Sequence, residues 1–133
     1  MKIIISSTGD KIDDLLDARF GRCPYFIVVE IENKKIKTIN AIKNIAMAQM
    51  TGAGINAAQI VANENPDAII TTNIGPRAFD VFEQFNILIY CGSGKIKDVI
   101  QEFIDGKLTQ IKQARGGMGF GFGKGFGRGG RRA

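Results

Sequence analysis

Two stretches restrict the fold more than anything else in this chain: Ala68-Ile69-Ile70-Thr71-Thr72, and residues 86–91, which run from Asn86 to Cys91. Each is a short, nearly continuous apolar run. Each is followed by a glycine-containing loop and then by apolar residues at helical spacing. A strand that is apolar on both faces needs cover on both, the situation of a parallel strand sandwiched between helices. Right-handed crossovers then place the two strands side by side, next to an earlier strand.

That earlier strand is Lys2-Ile3-Ile4-Ile5-Ser6-Ser7, closed by Thr8-Gly9-Asp10. Residues 11–18 have the apolar spacing of a helical turn. Pro24 has no N–H and suits the start of a second strand, residues 25–31. Glu32-Asn33-Lys34-Lys35 is a polar break of hairpin length. It leads into an exposed third strand, residues 36–42. A helix over 55–63 is stopped by Asn65-Pro66. Pro76 suits a helix's first turn. From this second helix Phe79, Val81 and Phe82 face the core. Ile96, Val99, Ile100, Phe103 and Ile104 mark a third helix, with Gly106 just past its end. The order is β-β-β-α-β-α-β-α. It predicts a ribonuclease H-like three-layer α/β/α fold around a five-stranded mixed sheet, order 3-2-1-4-5, with strand 2 antiparallel.

Four loops meet at one edge of such a sheet, where open α/β sheets bind ligands. The first is Asp17-Ala18-Arg19-Phe20-Gly21-Arg22-Cys23-Pro24. The second runs from Asn44 to Gly54 and carries Met47, Met50 and Gly52. The third is Asn73-Ile74-Gly75-Pro76, leading to Arg77. The fourth is Cys91-Gly92-Ser93-Gly94.

Each loop supports two readings. Cys23 and Cys91 are either soft-metal ligands, with the Cys23 thiolate favoured by Arg22, or small buried hydrophobes. Arg19 and Arg22 clamp an anion or pair with Asp17 or Asp13. Met47 and Met50 offer thioethers or pack beneath their loop. Gly75-Pro76-Arg77 and Gly92-Ser93-Gly94 present helix-start amides to an anion, or are turns that need glycine. No G-x-x-x-x-G-K-[ST] phosphate loop, histidine, or converging carboxylate set is present, so nucleotide hydrolysis and metal-dependent nuclease chemistry are unsupported. The expectation is a binding protein, not an enzyme.

Charge separates the chain into two parts. Residues 1–112 form the expected domain; residues 113–133 form an expected disordered tail with nine glycines in its last nineteen residues. Arg115, Lys124, Arg128, Arg131 and Arg132 carry the whole net charge of +5, and the remainder has 13 basic and 13 acidic residues. The tail, with phenylalanine between its charges, suggests weak RNA or protein interaction. No apolar run is long enough for a membrane span, and the two cysteines have no CxxC spacing, so a cytoplasmic protein is expected.

Arg-Phe-Gly-Arg followed by Pro-Tyr-Phe and a hydrophobic strand resembles the dinitrogenase iron-molybdenum cofactor biosynthesis family. So do Gly-Ala-Gly-Ile before the first helix, Ile-Gly-Pro-Arg-Ala-Phe, and the short glycine loop after the last strand. The resemblance covers roughly residues 1–112. It implies a carrier of an iron–sulfur cluster or iron-molybdenum cofactor precursor, working with cluster-assembly proteins. Arg19, Phe20, Gly21, Arg22, the loop 47–54, Gly75 to Arg77 and Gly92 to Gly94 are the positions that carry over. Some members of this family have histidine in the second loop or the tail; this chain has none. A small-anion site, for phosphate or molybdate, is a further expectation for the same edge.

Overall fold

In the computed structural model, which describes residues 1–113, β1 (Lys2–Ser7) lies inside the sheet. It pairs antiparallel with β2 (Tyr25–Glu32) and parallel with β4 (Ala68–Thr71). β2 turns back into β3 (Lys35–Lys43) through Asn33 and Lys34, both at positive φ, the geometry of a two-residue hairpin turn. β5 (Leu88–Cys91) runs parallel to β4.

The sheet has six strands, in the order β3-β2-β1-β4-β5-β6. The five-stranded expectation is corrected by β6 (Thr109–Gln110), which adds antiparallel to β5 after the last helix. Its two residues have no apolar alternation to reveal them; the pairing is made by the backbone. Residues 11–18 are also corrected. They form turns, with backbone bridges from Leu15 and Leu16, and no helix.

Three helices cover the two faces. α1 (Ala53–Ala62) and α2 (Pro76–Gln84) pack on one core, with Ala57, Ala58, Val61, Val81 and Phe82 against Ile4, Val28 and Ile69. Phe79 is only partly buried against it. α3 (Ile96–Ile104) covers the other face, with Ile96, Val99 and Ile100 against Ile3, Ile5 and Ile70. β1 contributes alternate isoleucines to each core, which is why it reads as one apolar run. Gly106, at φ 73, ends α3 as expected. No helix among the described residues is long and apolar enough to cross a membrane. The tail residues Arg115, Lys124, Arg128, Arg131 and Arg132, and the expectations attached to them, lie outside the described residues.

Candidate functional site

Loop one sits at the centre of the edge formed by the ends of β1, β4 and β5. Its Phe20–Arg22 segment is a 3-10 turn anchored by Phe20. That ring is buried, 5.3 Å from Phe26 and 5.5 Å from Phe82 between centroids. Phe20 therefore holds the loop down and is not a surface for a ligand.

The turn locks onto loop two and the start of α1. A Cβ on Gly21 would lie 2.9 Å from Gly54 Cα and 3.0 Å from Gly54 N. The backbones touch, and glycine is what allows it. Asn44 Nδ2 donates to Gly21 O (3.2 Å) and Cys23 O (2.8 Å), while its Oδ1 accepts from Ala46 N–H (3.1 Å). Arg22 Nη1 donates to Met47 O (2.7 Å) and to Gln49 O. A Gly21→Ala chain should accordingly lose roughly 1–3 kcal/mol of stability. Gly54→Ala, whose new Cβ meets nothing within 4 Å, should lose none. Parallel urea melts check the pair; equal losses would sink the contact argument.

Loop one also reaches loop three, and the end of β4 ties loop three to loop four. Arg19 forms a backbone bridge to Asn73 in loop three. Thr72 Oγ1 donates to Gly92 O (2.7 Å), and the Cys91 thiol contacts Thr72 O at 3.8 Å, tying loop three to loop four. The expected meeting of four loops at one edge is what the structure displays.

The individual residues divide unevenly between the two readings. Arg19 makes a two-pronged pair with Asp17, Nε to Oδ1 at 3.0 Å and Nη2 to Oδ2 at 2.9 Å, and its backbone N–H adds a third bond. Burial works to raise the Asp17 pKa, but these bonds outweigh it and hold the carboxyl below its ordinary value. Arg22 gives its Nη1 to the carbonyls of loop two, is exposed, and has no acidic partner among the described residues. Asp13 pairs with Lys97, not with either loop-one arginine.

For Cys23 the metal-ligand expectation is corrected in favour of the buried-hydrophobe one. The residue is fully buried, its thiol donates to Phe20 O (3.2 Å), and burial pushes its pKa up to about 12. The thiolate expected beside Arg22 does not form because desolvation dominates and the guanidinium points to loop two. Cys91 is half-buried. Met47 and Met50 are 39% and 93% exposed, so they do not pack beneath their loop. Among the described residues, no group of three or more histidine, cysteine or acidic side chains could hold a metal ion.

The glycines serve different ends. Gly52 and Gly94 have φ of 76° and 100°, a conformation that favours glycine. Gly75 is extended, and caps α2 without a side chain. Gly92 is buried, where a Cβ would meet Ile70 Cγ2 at 2.9 Å. Ser93 is exposed.

The helix starts complete the edge. None of the three has a side-chain cap. The first amides of α3 are satisfied by loop carbonyls, Ile96 N–H to Asp14 O and Lys97 N–H to Ile12 O, both 2.9 Å. In contrast, Ala53, Gly54 and Ile55 at α1, and Arg77 and Ala78 at α2, have no acceptor for their amides among the described residues. These two groups of donors flank the Arg19–Arg22 turn. Exposed Lys43, Arg77 and Lys95 stand on the same edge, with no acidic partner among the described residues.

Asn44 and Thr72 are the residues that sequence reasoning passed over. Asn44 directly follows β3, and an asparagine just past a strand that bonds the backbone two residues on is a turn signal that could have flagged it. Nothing local distinguishes Thr72.

Comparison with known proteins bears on the whole domain. The family model described as "Dinitrogenase iron-molybdenum cofactor" matches residues 1–106. An uncharacterised protein of Methanocaldococcus jannaschii is 42% identical over 98 residues, covering 73% of this chain and 83% of that one. A second uncharacterised protein of the same organism is 31% identical over 112 residues, covering 84% and 94%. The apo form of the orange protein from Desulfovibrio gigas superposes with a TM-score of 0.78 at 27% identity, over 86% of this chain and 96% of that one.

Proposed function

Because this chain belongs to the dinitrogenase iron-molybdenum cofactor family, we propose that it is a non-catalytic binding protein or carrier for an iron-molybdenum-type or iron–sulfur cofactor, or for a precursor of one. The cargo is held at the loop edge and passed to cluster-assembly proteins. The observation that carries this reading is the pair of uncapped helix starts either side of the Arg19–Arg22 turn, with Lys43, Arg77 and Lys95 around them.

Metal–sulfide clusters are commonly anionic. Unsatisfied helix-start amides and cations favour negative charge, and glycine at both caps lets a bulky anion approach the backbone. Sulfur donors on this edge are few: exposed Met47 and Met50, and half-buried Cys91. Two cysteines cannot complete a Cys₄ seat, and Cys23 is sealed in the core. The cargo therefore brings most of its own ligands, and the protein contributes charge, amide donors and shape. Phosphate or molybdate alone would use the same donors with less charge and area.

The test is anaerobic incubation of the full chain with iron and sulfide, with and without molybdate, followed by gel filtration. The expected result is protein-bound metal and sulfide with visible charge-transfer absorption. Arg77→Glu should weaken retention about tenfold or more, since a charge-assisted contact contributes roughly 1.5–3 kcal/mol. Cys23→Ser should retain the cargo if it folds. Colourless, metal-free protein under every mixture sinks the reading.

A further inference from the structure

β3 is the outermost strand on one side of the sheet, nine residues long, and every residue in it except Ile42 is exposed. A long open edge is a template for another strand, and proteins usually blunt such edges. This one keeps two large apolar residues, Ile36 and Ile39, 42% and 38% exposed.

The bulge explains their placement. Ile31 pairs with Ile36 but Glu30 pairs with Thr38, so Lys37 is an extra residue in β3. Ile36, Ile39 and Ala41 thereby sit opposite Ile31, Val29 and Ile27, which all belong to the α3-side core. Simple alternation would have put Ile36 and Ile39 on opposite faces. The extra residue gathers them into one apolar row that continues the core face beyond the cover of α3.

The open edge also has a defined set of hydrogen-bonding groups. Asn44 N–H donates to Pro24 O at 2.9 Å, so position 44 bonds inward to β2's side. Alternation along an antiparallel ladder then turns the N–H and C=O of Lys43, Ala41 and Ile39 outward. Around them the charge has one sign. Lys34, Lys35, Lys37 and Lys43 are present, and residues 33–52 contain no acid. Lys37 has an exposed partner, Glu32 at 3.8 Å, a pair of little energetic consequence.

That charge argues against a second copy. With Lys37 bulged out, antiparallel self-pairing centred on Ile39 would set Lys34 against Lys43; centred on Asn40, it would set Lys43 against Ile36, beside the bulged Lys37. Like charges directly opposite destabilise a strand pair. We propose that β3 is the docking edge for an extended acidic segment of a partner protein, added as a seventh strand. Its carboxylates lie beside Lys35 and Lys37 on one face, and its apolar side chains cover Ile36 and Ile39 on the other. The docking edge does not depend on the loop-edge cargo, although Lys43 borders both.

The probe is an eight-residue peptide alternating glutamate with valine, with its lysine-for-glutamate counterpart as control. Binding is read from NMR shifts and amide exchange. The acidic peptide should shift β3 and protect the amides of Ile39, Ala41 and Lys43; the basic one should not. Ala41→Pro removes an outward N–H without touching the ladder to β2, and should weaken binding at least tenfold. Lys35→Glu with Lys37→Glu should do the same and settles the matter if the proline variant does not fold. Unshifted β3 amides, equal binding by the charge-reversed chain, or a dimer formed through β3 would each overturn the proposal.

Discussion

Asn44→Leu should cost the domain roughly 3–5 kcal/mol. The side chain is buried and serves three backbone groups: the carbonyls of Gly21 and Cys23, and the amide of Ala46. Leucine has nearly the same volume and none of the polar atoms. A buried group left without its partner costs roughly 1–3 kcal/mol, and three such losses at one site add incompletely. In urea the midpoint should fall at unchanged slope. Amide exchange should accelerate in loops one and two ahead of the β1–β4 core. A midpoint within half a kilocalorie of the parent would show that water or local rearrangement replaces the asparagine. Since Asn44 joins the two loops that border α1, the same variant should lose the cargo proposed for the loop edge even under conditions where it remains folded.

Alkali should produce the second large effect. In the unfolded chain the Cys23 thiol ionises near its ordinary value of 9.0, whereas in the folded chain burial raises this to about 12. Between those values the unfolded state releases a proton that the folded state keeps, so rising pH favours unfolding. The contribution is present in full below pH 9 and is lost progressively as pH climbs toward 12, by about 4 kcal/mol at 1.36 kcal/mol per unit. The comparison is with Cys23→Ala, whose stability should fall less steeply across this window. Identical slopes would refute the assignment. At neutral pH a thiol reagent should modify half-buried Cys91 well before Cys23, which becomes accessible on opening of the core.

Both predictions turn on residues whose importance local pattern does not express. The apolar runs of β1, β4 and β5 and the 3.6-residue spacing of α3 are periodic signals, and periodicity was enough to order five strands and three helices. β6 escaped because two polar residues pair through backbone alone. Residues 11–18 imitated a helix because Ile12, Leu15 and Leu16 have the right spacing, although their backbones bridge to β1 and the α3 start.

At the site, the Arg-Phe-Gly-Arg and Gly-Ala-Gly-Ile motifs were each visible as unusual. That Gly21 rests on Gly54 was not, because a contact between residues more than thirty positions apart leaves no local periodicity. Cys23 shows the same limit in its sharpest form. Beside Arg22 in the chain, it suggested an activated thiolate; in the fold, Arg22 turns to Met47 and Gln49 while Cys23 is sealed within the core.

The sequence by itself determined the mixed α/β topology, the edge at which the four loops gather, and the family resemblance. These depend on hydrophobic periodicity, turn residues and short motifs, all written in neighbouring positions. Only the tertiary structure decided what each loop residue faces. Phe20 became an anchor, Arg22 a tie between loops, Cys23 a core thiol, and the starts of α1 and α2 the amide donors left open. The physical reason is that burial and partner choice follow from packing between distant segments, and desolvation can reverse the chemistry that a residue's neighbours in sequence suggest.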